Sequence, residues 1–588
     1  MKEKPFVIGI TGHRDLNKDT FKQLSAKISV FLTEIKQKLP NTPLKIISGM
    51  ADGADRILVK EGLKQNIAID VIQPMPDSLY QADFSEDSWQ EFNRIIAEDK
   101  VTTKVLPTYF IDIERAKEQG KERDKFYHAL GQYIVEQSNL VVGIWDGINS
   151  GLKGGTADVV LSYLESKETR AEINDTPVYF VDDGISVNEH SNVVYWLPVS
   201  HEEDNFHQTN KPTLASSFLT GKQGSYSMKK QQEMPKHLCS EINELNEYNK
   251  QFQELKSKNE ISLEYNLLST YKNDENNNKK EQLKNIDDEF LKADAIALFN
   301  QKKSDGQFKL FAYMAAIMGL FFLVYAKIVA SKLLLIGYLL LFFCGWFFFK
   351  AAEKNKWFTR HLTARVYAET LRTQFYLTII DKQQASKVMQ LMDDTGITQF
   401  KGTSWLKQAV TSLLTDHENT VHECSAKQKE KNMAFVCKHW IAEQAAYFQN
   451  KTQKLSSHHH KLEKIKGILF IGSAIATISL ILFKYQLVDI VLFAHVDAKT
   501  FTVLLMGLLP FWLAVWELYQ GKMAVKELLW QYKNQSIVFT QAQQELENAA
   551  TLEKKSEILT RLAHRSMMEN YIWIIHRYHR EHEPPTAG

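Results

Sequence analysis

The sequence has little cysteine: Cys239, Cys344, Cys424 and Cys437 in 588 residues, one of them inside an apolar run. Four such residues make neither a disulfide framework nor metal-ligand spacing, and they read as reduced thiols of an intracellular protein. Net charge is almost absent as well, since 71 Lys+Arg stand against 70 Asp+Glu. No field therefore draws the whole chain onto nucleic acid, and nucleic acid is not an expected partner. An apolar leader is also lacking, because Lys2 and Lys4 run straight into a strand-like stretch. The part of the chain before its first apolar run is thus expected to stay in the cytosol. The length leaves room for about three units.

What the chain does have is apolar residues concentrated in four windows. Leu310–Ala326, Leu333–Phe349, Gly467–Phe483 and Phe501–Trp516 contain no charged residue. At 1.5 Å rise per residue, each reaches across a hydrocarbon core of roughly 30 Å with a few flanking residues. Buried helices of a soluble domain keep a polar stripe, and these have none. They fall into two hairpins, the first closed by a turn with Lys327 and Lys332, the second by Lys484–Thr500. Near the span ends, Lys302, Lys303, Lys309, Lys350, Lys354, Lys356, Arg360, Lys461, Lys464, Lys466, Lys522 and Lys526 lie on one side, against Lys327, Lys332, Lys484 and Lys499 on the other. The bias puts both termini in the cytoplasm and the protein in the inner (cytoplasmic) membrane as a multi-pass species, with the lipid bilayer as a partner. No span holds Asp, Glu, Lys, Arg or His, which speaks against a proton relay. Small residues at Gly472, Ser473, Ala476, Thr477 and Ser479 suggest a packing face, and Pro510 a kink. Ser457-His458-His459-His460 reads as an interfacial patch, and no metal site is expected.

The first 200 residues alternate short apolar runs (Pro5–Ile10, Leu44–Ile47, Ile67–Ile72, Leu140–Ile144, Pro177–Val181) with helical stretches (Thr20–Leu39, Gly53–Lys64, Ser88–Glu98, Glu122–Gln137, Thr156–Glu165). That alternation predicts an α/β domain with a parallel sheet covered on both faces. Ligands of such sheets bind beyond the carboxyl ends of the strands. Three turns there carry the unusual residues. They are Thr11-Gly12-His13-Arg14, then Ser48-Gly49 through Asp52, Gly53, Asp55 and Arg56, and lastly Asp146 followed by Gly154-Gly155-Thr156. Glycine turns opening helices leave N–H groups for an anion, with phosphate the natural occupant. His13 and Arg14 add a titratable donor and a guanidinium fork, Thr11, Ser48 and Thr156 add hydroxyls, and Asp52, Asp55 and Asp158 are candidates to accept ribose hydroxyls. The plainer alternative is a set of capped turns in which Arg56 pairs with Asp52 or Asp55 on its own helix.

The segments ITGHRDL, ISGMADGADR and LVVGIWDG followed by GGTADVV resemble the SLOG superfamily, the Rossmann-like group that includes the DprA proteins and the LOG phosphoribohydrolases. The likeness covers about Lys4 to Ser200. It implies a nucleotide or NAD-derived ligand, and for some members signalling to membrane effectors in bacterial antiphage defence. LOG enzymes carry a Glu three residues after the Thr of their glycine turn, where this chain has Val159 beside Asp158. The departure favours binding over hydrolysis. If a hydrolase, the chain would use Asp158 or Asp146 as acid/base group on an N-glycosidic bond, and a scaffold without ligand is the third reading. The whole arrangement is similar to bacterial proteins in which a SLOG domain is fused to paired transmembrane hairpins. Glu569-Asn570-Tyr571-Ile572-Trp573 with Arg577 and Arg580 fits the tail of that group, and stretches after the second and fourth runs suggest a weak duplication.

The expected layout is a SLOG-like nucleotide-binding domain at 1–200, a polar helical linker region at 201–307, transmembrane hairpins at 308–350 and 466–518, a cytoplasmic helical region at 351–465 and cytoplasmic helices at 519–588. No obligatory cofactor is implied beyond the nucleotide-derived ligand, and four spans without a polar lumen suggest a homo-oligomer.

Overall fold

A computed structural model describes residues 1–16, 18–107, 117, 120–149, 151–164, 176–177, 192–199, 215–221, 228–261, 266–269, 271, 277–380, 392, 402–414, 426–493 and 496–578. The chain divides into two compact units, the first of residues 1–292 with 385–424, the second of 293–384 with 425–588.

The first unit is built on an eight-stranded sheet. Its strands are β1 (Phe6–Gly12), β2 (Leu44–Ser48), β3 (Ala68–Gln73), β4 (Val101–Val105), β5 (Leu140–Trp145), β6 (Val193–Pro198), β7 (Ser217–Gly221) and β8 (Met228–Gln231), in the order β8-β7-β6-β5-β1-β2-β3-β4. The strands from β6 through β4 in that order are mutually parallel, while β7 and β8 are antiparallel. The sheet is thus mixed rather than purely parallel. Its extra hairpin comes from the stretch expected to be a polar linker, where short connections allow antiparallel pairing. β5 (LVVGIW) is buried along its whole length, as a central strand covered on both faces must be, whereas the edge strand β4 (VTTKV) has no buried residue and carries Lys104. Helices α1 (Lys18–Lys38), α2 (Ala54–Lys64), α3 (Glu86–Ile96), α4 (Lys121–Gln137) and α5 (Thr156–Tyr163) connect the strands. Val7, Ile47, Leu130, Ile134, Val141, Trp145, Val160 and Trp196 form the core between them.

The expected strand at Pro177–Val181 lies mostly outside the described residues. Pro177 itself pairs with Ile148 in a small separate ladder, and β6 takes the place beside β5. β4 was not foreseen, because VTTKV has neither length nor a long apolar run. α6 (Lys236–Ser257) closes the unit against the N-terminus: Asn249 accepts from Lys4 N–H at 3.0 Å and donates to Lys4 O at 2.8 Å.

Among the described residues, the second unit is helical apart from a small hairpin of Val491–Phe493 with Val496–Asp497. α7 (Asn277–Lys327), α8 (Lys332–Asn355), α12 (Glu443–Phe483) and α13 (Ala498–Met523) contain the four apolar windows. The others are α9 (Trp357–Ile380), α10 (Leu406–Leu414, in the first unit), α11 (Ala426–Val436), α14 (Val525–Asn548) and α15 (Leu552–Tyr578). Among the described residues, four helices are long and apolar enough to cross a membrane, and their apolar windows are only 17%, 0%, 6% and 11% buried by the chain itself. Apolar helices left so bare need an apolar surrounding. Small residues let them approach: a Cβ at Gly319 would run into the Phe511 ring, and one at Gly472 would come within 3.2 Å of Leu509. Pro510 lies inside α13, and the helix continues through it without a break.

Candidate functional site

β1, β2 and β5 are parallel neighbours, so their carboxyl ends deliver three turns to one edge of the sheet. From β1 the chain steps outward through β2, β3 and β4, then returns to the other side of β1 for β5 and β6. The β1/β5 boundary is therefore the topological switch point, where open α/β sheets leave a crevice.

Thr11 and Gly12 end β1, and His13 crosses this boundary: its N–H donates to Ile144 O at 2.9 Å. The backbone N–H of Asp146 donates in turn to His13 Nε2 at 3.1 Å, with Asp146 Oδ1 at 3.4 Å from the same nitrogen. Accepting at Nε2 leaves the neutral ring its proton on Nδ1. Gly12 is required sterically, since a Cβ there would come within 2.7 Å of Ile144 O.

The second turn lies against the first. Gly53, at φ 73, would bring a Cβ to 2.5 Å from His13 O, and Ala54 N–H donates to that same oxygen at 3.1 Å. Ser48 Oγ accepts from Met50 N–H at 2.9 Å and donates to Asp55 Oδ2 at 3.0 Å. Burial raises the Asp55 carboxyl to about 6, against the pull of Ser48, backbone donors and Arg14. Gly49 O accepts from the Tyr80 hydroxyl at 2.7 Å. Arg56 pairs with Asp52 at 3.0 Å and Glu91 at 2.8 Å, and Ser88 donates to Asp52 at 2.5 Å. Asp52 and Arg56 are thus engaged with each other, as the plainer alternative required for that pair, while Asp55 is bound to Ser48.

In the third turn, Gly154 at φ 77 would place a Cβ 2.5 Å from His128 N, so the turn sits directly on α4. Its N–H donates to Asp158 Oδ2 at 2.9 Å, and His128 Nδ1 is 3.1 Å from the same oxygen. Asp158 is 9% exposed and holds this turn together. Gly155 precedes α5 without a side chain to cap the first-turn N–H groups that begin at Thr156.

No family model matches this chain, and no curated protein or solved structure matches it. The chemistry of the site rests on its own geometry.

Several residues of this edge escaped the sequence reading. The Arg14 guanidinium lies 5.2 Å from the centre of the Tyr127 ring on α4. Burial lowers its basicity, but Tyr127, Tyr80 and Asp83 together outweigh this and its pKa is raised. Tyr127 donates to Asp83, which also pairs with Arg123 at 2.8 Å, and Arg123 donates to Leu79 O at 2.9 Å. Burial pushes the Tyr127 hydroxyl up to about 12 and Tyr80 well above its ordinary value, so both stay protonated as donors. Leu79, Tyr80 and Asp83 follow the carboxyl end of β3. That end reaches the same sheet edge as the other three, and this was the available signal. Tyr127 and His128 join the first and third turns, one beneath Arg14 and the other beneath Gly154.

The edge therefore carries a guanidinium, an imidazole beside a carboxylate and uncapped helix N–H groups, while the Tyr80 and Tyr127 hydroxyls are engaged with Gly49 O and Asp83. That set suits recognition of an anion with polar substituents. Among the described residues, no group of three His, Cys, Asp or Glu has metal-binding placement.

Proposed function

We propose that the protein is a SLOG-like membrane effector, in which the switch-point crevice binds a nucleotide-derived signal and its occupancy alters packing or assembly of the four apolar helices. The observation that carries the reading is the placement of Arg14, a permanent cation over Tyr127, next to the β1/β5 boundary and within electrostatic reach of buried Asp55. A nucleotide phosphate fits the guanidinium and the start of α5, and a ribose fits the carboxylates and hydroxyls around them. The bareness of the apolar windows supports insertion in the inner membrane, with assembly of several copies to form any opening. The outcome is a permeabilised membrane and a halted cell, as an antiphage effector requires.

Carrying such a protein from about 1% to 99% active requires a preference of roughly 5.5 kcal/mol for the active state. One phosphate contact does not supply that. Several charge-assisted contacts together with assembly of copies do.

The test expresses wild type and Arg14→Ala in cells with and without candidate nucleotide signals and follows membrane potential. The expected result is signal-dependent depolarisation in wild type and its loss in the variant. Identical behaviour of the two proteins sinks the sensor reading. Turnover of NAD or nucleoside monophosphates by the purified full-length protein, in place of stoichiometric binding, would move the assignment to a hydrolase.

A further inference from the structure

An open groove of about 790 Å³ lies between α12 and α14 of the helical unit. Its lining includes Lys461, Lys464, Lys533 and His460 together with hydroxyls such as Thr452 and Ser536, and contains no Asp or Glu. Among the described residues, none of the three lysines forms an ion pair or side-chain hydrogen bond, whereas neighbouring Lys466 pairs with Glu517 at 2.6 Å. Thr452 Oγ1 is buried without a hydrogen-bond partner. Three lysines facing one groove repel each other, and a buried hydroxyl without a partner is costly. A bound anion relieves the repulsion, whereas the Thr452 hydroxyl, about 14 Å along α12 from Lys461, stands at the far end of the groove.

We propose that this groove is a phosphate-binding site, suited to a phosphate monoester or diester, with the headgroup of an anionic phospholipid as its favoured occupant. Size agrees, because ligand sites span roughly 300–1,000 Å³. Position favours a lipid. Lys461 and Lys464 precede the apolar run starting at Gly467 by six and three residues on one continuous helix. At 1.5 Å per residue they lie about 9 and 5 Å outside it, at the depth of headgroups. Exposed Ile465 and Ile468 just above offer apolar surface for acyl chains. The lipid assignment, though not the phosphate site, rests on the membrane reading given above.

The test uses full-length protein in nanodiscs of phosphatidylcholine alone, of phosphatidylcholine with phosphatidylglycerol, and of phosphatidylcholine with added inorganic pyrophosphate. The rate of lysine acylation is read by mass spectrometry. With phosphatidylglycerol, Lys461, Lys464 and Lys533 should react about fivefold more slowly than in phosphatidylcholine, while Lys484 and Lys499 stay unchanged. Slowing by pyrophosphate alone keeps the phosphate site and assigns it a soluble ligand. Equal rates in all three preparations overturn the proposal. A combined K461Q, K464Q and K533Q protein should retain fewer phosphatidylglycerol molecules in native mass spectrometry, and retention equal to wild type counts against the site. Protein that refuses to enter nanodiscs defeats the membrane reading instead, and pyrophosphate protection measured in detergent still judges the groove.

Discussion

Ser48 Oγ and Asp55 Oδ2 are 3.0 Å apart, and the same hydroxyl accepts the N–H of Met50, which sits at φ 60. One side chain thus ties the end of β2 to the first turn of α2 and holds the intervening loop in a left-handed bend. The cost is a carboxylate with 7% exposure.

That cost is visible in pH dependence. Asp55 has a pKa of about 6 against an ordinary 3.8, so between these values the folded protein binds the proton that the unfolded chain has released. Stability from this group is complete below about 3.8 and is lost as pH rises through about 6. Asp55→Asn keeps the hydrogen bond from Ser48 without the charge. Its melting temperature should exceed that of wild type at pH 7.5, by the equivalent of about 2–3 kcal/mol, and match it near pH 4. A wild-type melting temperature that does not fall between pH 4 and 7 more steeply than the variant's would refute the assignment.

Gly53 is where the first two turns touch. At φ 73 and ψ −117 a side chain carries about 1–3 kcal/mol of backbone strain, and its Cβ would also press on His13 O and Arg14 O. Gly53→Ala should therefore lower the melting temperature more than Gly155→Ala, whose tightest Cβ contact is 3.1 Å from Leu152 O. Comparison of the two by thermal unfolding decides it.

Arg14 and Arg56 look alike in sequence and differ in structure. Arg56, nearly buried, spans Asp52 and Glu91, and its removal leaves Glu91 to Lys60 and Asp52 to the Ser88 hydroxyl alone, breaking the tie between them. Arg56→Met should cost about 1–3 kcal/mol with or without a nucleotide. Arg14→Ala should change melting less and abolish any nucleotide-induced rise in melting temperature. A nucleotide shift preserved in Arg14→Ala would remove that residue from the crevice chemistry.

These contrasts show what was legible in the sequence. The pattern of β-branched runs and intervening amphipathic helices located β1, β2, β3 and β5 to within two residues, because central parallel strands must be apolar on both faces. The four apolar windows were equally plain, since a bare helix of that length has few alternatives. β4 and the β7–β8 hairpin were not, because edge strands carry polar residues and their identity depends on the neighbour they pair with. At the candidate site, the glycine turns announced themselves, but Tyr80, Asp83 and Tyr127 reach the edge from a short helix after β3 and from α4. Likewise nothing in Leu406–Leu414 signalled that Ala409 O would receive the ammonium of Lys4 at 3.0 Å.

Asn249 tests how the N-terminal segment is secured. Its side chain satisfies Lys4 N–H and Lys4 O and donates to Thr42 Oγ1 at 2.9 Å, all in the buried interior. Asn249→Ala orphans two backbone groups, each costing about 1–3 kcal/mol where water cannot replace the partner, while the Thr42 hydroxyl keeps its bond to Asn246. The expected result is a large drop in melting temperature and faster hydrogen exchange at Lys4. Unchanged exchange there would show that the clip is dispensable.

The apolar helices offer a test of close packing. Gly319 on α7 faces the Phe511 ring on α13, and Trp512 Nε1 donates to Ala316 O at 3.1 Å one turn away. Overpacking a fitted contact typically costs about 1–3 kcal/mol. Gly319→Ala should therefore lower the thermal stability of detergent-purified protein, and Phe511→Leu introduced beside it should restore much of the loss by making room for the new methyl. The two changes would then be strongly non-additive, as neighbours sharing one contact are. Additive effects of Gly319→Ala and Phe511→Leu would mean that the two side chains do not meet, and that α7 and α13 are held by the Trp512 hydrogen bond and other contacts.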